Sequence, residues 1–141
     1  MSKKVTDFVE IKRLERIKDL GKLEEGQGYR ILQDNLLTVL FHNGEPMSFL
    51  GFLEFNNVKL RGDHYHKNKI ENMCIITGSL KAKYVLPEKP NDVYEVELKA
   101  GDVVTVLPGC VHTYISDSSA LAVEFSPQLF DKDDLIKYKI D

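Results

Sequence analysis

Three histidines and one glutamate stand at spacings that could bring them to a single point. His64 and His66 are separated by one residue, and such residues in a β-strand point to the same face with Cα atoms about 6.6 Å apart. Glu71 follows His66 after four residues, enough for a tight turn into the next strand. His112 lies 46 residues beyond His66, just after the turn signal Pro108 and Gly109. Imidazole and carboxylate groups bind transition metals and also act as acids and bases, so these four residues predict a metal centre or an acid/base site.

The neighbours of the histidines offer further candidates. Tyr114 is two residues from His112 and would share its face, where a hydroxyl could transfer a proton or bind substrate. Arg61 and Lys67 flank the histidine pair, and their charges could bind a phosphate or carboxylate. The two cysteines, Cys74 and Cys110, are interpreted as small buried hydrophobic residues of the core.

The elements that must position these residues read as β-strands. Residues 36–41 form an apolar run that ends at the turn signal Asn43 and Gly44. Residues 93–98 alternate apolar with acidic side chains, as expected of a strand with one solvated face. Turn signals at regular intervals define about eight to ten short strands, which is typical of a sandwich or barrel. The prediction is an all-β chain folded as one antiparallel barrel or jelly roll.

The two ends of the chain are less regular. Residues 7–23 mix apolar and charged side chains with neither period, so a strand with a loop and a short helix are both open. Residues 131–138 indicate a possible short C-terminal helix, because acidic residues in a first turn favour the helix macrodipole.

Composition limits the classes of protein that fit. With 141 residues, the chain is expected to form a single domain over 1–141. A net charge of -3 argues against nucleic acid as a partner, since no excess of basic residues is available for phosphates. No apolar run approaches the roughly 20 residues of a membrane span, so no membrane partner is expected. Two cysteines and no export signal predict a cytoplasmic location.

The four candidate residues lie in sequences that resemble the motifs of the cupins, a superfamily of small metal-binding β-barrels. The first cupin motif has an opening glycine, a His-x-His pair, a glutamate and a closing glycine. Here His64, His66, Glu71 and Gly78 meet those spacings, and Val58 stands where the opening glycine is expected.

The second cupin motif runs from a glycine through Pro-x-Gly to a histidine and an asparagine. Gly101, Gly109 and His112 fit that pattern. Leu107 replaces the motif's proline, and Ser116 stands in place of the asparagine. None of these departures falls on a metal ligand of the motif.

The cupin resemblance covers about residues 58–125 and implies a jelly-roll barrel whose interior is the active site. It also implies one divalent transition metal, with Zn, Fe, Ni and Mn all open. By this resemblance, the metal ligands would be His64, His66, Glu71 and His112.

A narrower resemblance connects the run Arg-Gly-Asp-His-Tyr-His-Lys at 61–67 and the tail at 125–131 to cupins of bacterial polysaccharide and deoxysugar biosynthesis. These include sugar-nucleotide 3,4-ketoisomerases and the C-terminal cupin domain of capsule-synthesis reductases. In the ketoisomerases the histidines of this run serve as acid/base residues without a metal, and the later histidine is generally missing. This chain departs from that pattern because it keeps Glu71 and His112.

The leading hypothesis is an isomerase or epimerase that acts on a keto sugar or sugar nucleotide and works as a homodimer. His64, His66 and Tyr114 would be its catalytic residues, and Arg61 and Lys67 would bind the substrate. An iron-dependent cupin dioxygenase and a non-catalytic sugar-binding cupin are the alternatives, because a cupin ligand set does not dictate the reaction.

Overall fold

The computed structural model describes residues 3–17, 27–33, 36–42, 44–56, 59–116 and 118–140. Within these ranges the chain forms only strands and two single-turn 3-10 helices, so the predicted all-β class is confirmed. None of its described helices is long and apolar enough to cross a membrane. The strands in chain order are β1 (Val9–Arg13), β2 (Glu15–Ile17), β3 (Gln27–Gln33), β4 (Leu36–His42), β5 (Phe49–Phe55), β6 (Lys59–His66), β7 (Glu71–Thr77), β8 (Ser79–Leu86), β9 (Lys89–Lys99), β10 (Asp102–Val106), β11 (Val111–Ser116), β12 (Ala120–Ser126) and β13 (Leu135–Lys137).

Two five-stranded antiparallel sheets pack face to face as a jelly-roll barrel. Sheet one has the order β1-β10-β7-β12-β5, and sheet two has the order β13-β6-β11-β8-β9. Ile75 and Val104 of sheet one share a core cluster with Leu80 and Tyr84 of sheet two. In β8 the buried residues alternate with lysines that face solvent, and this alternation makes the strand bury one face.

A third, three-stranded sheet of order β2-β3-β4 lies against the outer face of sheet one. Val39 and Phe41 of β4 pack there on a small cluster of Leu14, Cys74 and Val103. The predicted strand at residues 36–41 is therefore confirmed as β4. Sheet one is covered on both faces at this point, which explains why β10 is almost continuously buried.

The structure shows which elements form in the two terminal segments that the sequence left open. Residues 5–7 form a 3-10 turn and β1 and β2 follow, so the strand interpretation holds for this part, while residues 18–23 lie outside the described residues. The expected C-terminal helix is not formed. Instead, Lys132–Asp134 makes one 3-10 turn, capped by the Asp131 side chain, and β13 then pairs with β6. A helix of eight residues is marginal by itself, whereas the free edge of β6 offers backbone partners.

A β-bulge in β6 interrupts its pairing with β11. His64 lies opposite His112, but the next pair is Gly62 opposite Thr113, which leaves Asp63 as an extra residue. Gly62 has φ 114° and Asp63 has φ 54°, both in the left-handed region. Glycine reaches this region without strain, and aspartate tolerates it better than most residues.

The bulge changes which side chains face the barrel interior. In a regular strand Arg61 would point away from His64, because the two are three residues apart. With the extra residue, Arg61 instead pairs with Tyr114, on the face that also carries the histidines. Arg61 therefore lines the barrel cavity.

Replacing Gly62 by alanine tests the bulge. A Cβ at this position would overlap the carbonyl oxygen of His112 and strain the left-handed backbone, so Gly62→Ala is expected to cost about 3 kcal/mol of unfolding free energy. Gly51→Ala in β5 is the control, because its Cβ would meet Phe49 at 3.5 Å, an ordinary contact. Urea unfolding of both variants makes the comparison, and equal stabilities would contradict the assigned role of Gly62.

Candidate active site

The barrel brings His64, His66, Glu71 and His112 together. β6 supplies two histidines, the adjacent β11 supplies His112, and β7 supplies Glu71 from the opposite sheet. One ligand atom from each residue lies within 4.8 Å of the others. Glu71 Oε2 is 2.6 Å from His112 Nε2, and Glu71 Oε1 is 3.4 Å from His66 Nε2. The predicted juxtaposition is thus confirmed.

The crossing from β6 to β7 carries Glu71 into the other sheet, and hydrogen bonds from distant parts of the chain hold it. The buried Asp134 carboxylate accepts from the backbone N–H groups of Asn68 and Lys69, at 2.8 and 3.1 Å. The Ile70 N–H donates to the side chain of Gln128 at 2.9 Å. These bonds satisfy the backbone of a short connection that would otherwise be buried without partners.

The ring orientations fit a metal bound on the cluster side of the histidines. His64 Nδ1 is 3.1 Å from the carbonyl oxygen of Gly62, and His112 Nδ1 is 3.3 Å from that of Cys110. A proton on each Nδ1 satisfies these contacts and makes Nε2 the ligand atom, which is the usual arrangement of metal-binding histidines. At His112 a bound ion would replace the hydrogen that now lies between Nε2 and Glu71 Oε2. Both ring nitrogens of His66 are buried without a hydrogen-bond partner among the described residues. A divalent transition metal would satisfy one of them, so the donor set fits such an ion.

Charges around Glu71 favour its ionised form. Burial alone would raise the pKa of this carboxyl, but His112 and the hydrogen bonds around it hold the pKa well below its usual range. Burial likewise opposes a charged His112, yet the Glu71 carboxylate raises the pKa of that imidazole. His64 behaves differently, because burial and the neighbouring His112 lower its pKa to about 4. The site therefore combines one ion pair with one neutral imidazole.

A buried lysine and a second glutamate support this cluster. The Lys69 side chain is 3% exposed, and its Nζ lies 3.3 Å from Glu124 Oε1 and 3.7 Å from Glu71 Oε1. Its ammonium also sits over the ring of Phe49, 4.2 Å from the centroid. Burial and a hydrogen bond with Glu71 raise the pKa of Glu124 to about 8. A protonated Glu124 can donate a hydrogen bond to the Glu71 carboxylate, and the Lys69 ammonium lies within ion-pair distance of both side chains.

Sequence reasoning missed Lys69, Glu124 and Asp134. Glu124 is the one charged residue of β12, whose other residues are apolar or serine, and this isolated charge was a usable signal. Lys69 and Asp134 gave no such signal, because both lie in strongly charged stretches of sequence, whose side chains are expected to face solvent. Asp134 also lies behind His66, with Oδ2 3.7 Å from Nδ1.

Three residues of the cluster, His64, Glu71 and His112, line a barrel cavity of about 110 Å³, and His66 is buried beside them outside the lining. Tyr114 lines this cavity, as predicted, and its ring centroid is 5.8 Å from that of His112. The hydroxyl groups of Tyr84 and Tyr114 are hydrogen-bonded, with their oxygens 3.3 Å apart. Burial and Tyr84 raise the pKa of Tyr114 well above its ordinary value. Its hydroxyl is therefore protonated at neutral pH.

The two predicted substrate-binding residues are placed differently. Arg61 lines the cavity at its exposed side, with its guanidinium 5.7 Å from the ring centroid of Phe55. Lys67 is exposed just past the end of β6 and is outside the cavity lining, so its substrate role stays a prediction.

Both cysteines are buried, as expected, and burial raises the pKa of Cys110 to about 12. That thiol is thus unreactive at neutral pH.

Comparison with known proteins identifies the family. The family profile described as Cupin matches residues 53–133, which contain all four cluster residues. The chain belongs to the cupin family. Residues 58–125, where the two cupin motifs were predicted, lie inside the matched range. No curated protein sequence matches this cupin significantly.

Solved structures share the fold of this cupin at low sequence identity. The sugar 3,4-ketoisomerase QdtA from Thermoanaerobacterium thermosaccharolyticum, in complex with TDP, has a TM-score of 0.69 at 13% identity over 92% of this chain and 87% of its own. A 3,4-ketoisomerase from Helicobacter canadensis has a TM-score of 0.70 at 9% identity over 92% and 90%. The capsular polysaccharide assembling protein CapF from Staphylococcus aureus has a TM-score of 0.62 at 14% identity over 80% of this chain and 33% of its own.

Removing the Lys69 ammonium tests the charge compensation in the cupin site. Lys69→Met leaves two buried carboxyl groups without their cation, which is expected to cost about 3 kcal/mol of unfolding free energy. The control is Lys67→Met, an exposed lysine two residues away, with an expected cost below about 0.5 kcal/mol. Chemical unfolding at neutral pH measures both.

A second variant separates charge from packing in this test. In a Glu71→Gln background, which lacks the carboxylate that Lys69 compensates, Lys69→Met is expected to cost less stability than in the parent protein. A Lys69→Met protein as stable as Lys67→Met would contradict the compensating role.

Proposed function

We propose that this cupin is an isomerase of the keto-sugar group of a sugar nucleotide, working in deoxysugar or polysaccharide biosynthesis. The observation that carries the proposal is the cluster of His64, His66, Glu71 and His112, three of which line a barrel cavity. The similarity in fold to sugar 3,4-ketoisomerases supports the choice of substrate class.

The reaction needs a proton carrier but no oxidant. A base removes the proton from the hydroxyl-bearing carbon next to the carbonyl. The electron pair of that C–H bond forms the C=C bond of an enediol, while the C=O π pair moves to the carbonyl oxygen, which takes up a proton. Protonation of the former carbonyl carbon, with loss of the hydroxyl proton from its neighbour, moves the carbonyl by one position. Atoms and electrons balance within the sugar, so the protein has only to move protons and stabilise the enediol.

The proposed roles follow from position. In the absence of a metal, His64 and His66 would exchange protons with the sugar, since His64 lines the cavity and the ring centroids of the two histidines are 5.1 Å apart. When the histidines bind a metal, Tyr114 is the proposed proton carrier, because it lines the same cavity. Arg61 would contact the substrate where the bulge returns it to the inner face. Lys67 remains the more remote candidate for substrate binding.

A metal is part of the proposal. His64, His66, Glu71 and His112 would hold one divalent ion, and when bound it would supply Lewis-acid polarisation of the carbonyl. The residues around them keep their own functions in that case: Lys69 compensates the charge of the Glu71 carboxylate, Glu124 can donate a hydrogen bond to it, and Asp134 holds the connection that carries Glu71.

Exchange of substrate hydrogen with solvent tests the reaction. Incubation with TDP-4-keto-6-deoxyglucose and other nucleotide-linked 4-keto sugars in D₂O is expected to incorporate deuterium next to the carbonyl. His64→Gln and His66→Gln are expected to slow incorporation by about 100-fold or more. Tyr65→Phe is the matched control, since Tyr65 lies between the two histidines and points to the opposite face. Mass spectrometry measures the label, and no incorporation into any of these sugars by the parent protein would contradict the proposal.

Metal binding has a readout independent of activity. After chelation, adding Mn²⁺, Fe²⁺, Ni²⁺ or Zn²⁺ at 100 times its Kd is expected to stabilise the fold by about 2.7 kcal/mol, which raises Tm by roughly 8 °C. His112→Gln is expected to lose most of this shift, because one ligand is missing. Mg²⁺ is the control ion, since it prefers oxygen ligands. A Tm unchanged by all four ions would argue for proton transfer by the histidines without a metal.

Three broader expectations stay proposals. We propose that residues 1–141 act as one domain, in the cytoplasm, and as a homodimer. The edge position of β4 in the three-stranded sheet, with Leu37 48% exposed, supports the dimer. Phe52, 71% exposed on the edge strand β5, is a second apolar group on the surface.

A further inference from the structure

His64 stands between the barrel cavity and a second, outer cleft. The outer cleft has a volume of about 510 Å³ and shares Gly62 and His64 with the lining of the inner cavity. Its other wall is the C-terminal segment, which runs along the edge of sheet two beside β6. The remaining lining residues are Asp63, Leu135, Lys137, Tyr138 and Lys139.

The register of β13 places a lysine beside the histidine. Lys137 pairs with His64 across the two strands, and paired residues of an antiparallel sheet project to the same face. Lys139 lies two residues further along the same segment and lines the same cleft. Among the described residues, neither ammonium group has a carboxylate in ion-pair contact. Two exposed lysines therefore lie beside His64 in the outer cleft, with no ion-pair partner in the described part of the chain.

The segment that carries these lysines is held by the bulge residue. The Tyr138 N–H donates to the Asp63 carbonyl oxygen at 2.8 Å, and the Ile140 N–H is 3.4 Å from Asp63 Oδ1. The Asp63 carboxylate also accepts a hydrogen bond from the Thr113 hydroxyl. Asp63, the one carboxylate in the lining of the cleft, is thus hydrogen-bonded to the C-terminal segment, here called the C-terminal strap (residues 135–140). The two lysines are the other charged groups of the lining.

The inner cavity is too small to hold a whole sugar nucleotide, so part of the substrate has to lie in the outer cleft. An inner cavity of about 110 Å³ is far below the roughly 300–1,000 Å³ that binding pockets offer ligands of drug size. A nucleoside diphosphate sugar, with its sugar, ribose, base and two phosphates, cannot lie inside it. With the keto sugar at His64, the diphosphate has to lie outside, and the outer cleft is the space that adjoins that residue.

We propose that Lys137 and Lys139 form the diphosphate-binding subsite of the substrate, with the ring of Tyr138 against the nucleoside. This inference rests on the proposed function, because it takes the sugar position from it. Lysine ammonium groups bind phosphate oxygens as point charges, and the attraction weakens with salt where the groups are exposed. The two cations hold the nucleotide while the histidines act on the sugar.

Binding of thymidine diphosphate, measured by calorimetry, tests the subsite without turnover. The double variant Lys137→Gln/Lys139→Gln is expected to weaken binding by about tenfold or more, and to flatten the dependence of Kd on salt. Lys132→Gln is the matched control, because Lys132 is an exposed lysine of the preceding 3-10 turn and lies outside the cleft lining. Thermal unfolding of the parent protein and both variants checks that the fold is unchanged.

The outcomes separate this inference from the proposed function. A double variant that binds thymidine diphosphate as tightly as the parent protein would overturn the subsite, and so would a parent protein that does not bind it. Deuterium incorporation into keto sugars by a protein with such an unchanged Kd would leave the isomerase proposal standing without the subsite. Lysine-dependent binding of thymidine diphosphate without any incorporation would support the subsite and contradict the isomerase.

Discussion

The short contact between Glu71 and His112 joins the two sheets of the barrel, and the rest of the site depends on it. Each residue is buried, so neither charge is tolerable without the other. The pair explains why the short connection after β6 is tied down by Asp134 and why Lys69 is buried beside it. Charge compensation inside the barrel therefore determines the local structure as much as apolar packing does.

The bulge at Gly62 and Asp63 has a comparable influence on the other wall. It returns Arg61 to the inner face, and the same Asp63 receives the N–H of Tyr138 from the C-terminal strap. One irregular dipeptide thus links the cavity lining, the contact with β11 and the outer cleft. Such irregularities are common next to functional sites, because the extra residue turns the side chains on one side of it to the other face of the sheet.

Low identity to the similar structures does not weaken the physical case for a site. At 9–13% identity the barrel is shared with proteins described as 3,4-ketoisomerases, and this likeness shows the fold. The chemistry is argued from this chain's own cluster, in which three imidazoles and a carboxylate meet within 4.8 Å. The C-terminal strand adds to that cluster in two ways, since Asp134 precedes it and Lys137 ends it beside His64.

The sequence by itself determined the all-β class, the cupin motifs and the meeting of His64, His66, Glu71 and His112. It could do so because alternation and turn residues are local signals, and because residues two apart in a strand must share a face. It did not predict the β13 strand, the bulge, or the burial of Lys69 and Glu124. These depend on which strand edge is free and which charges face one another across the barrel, and both are decided only when distant segments pack together.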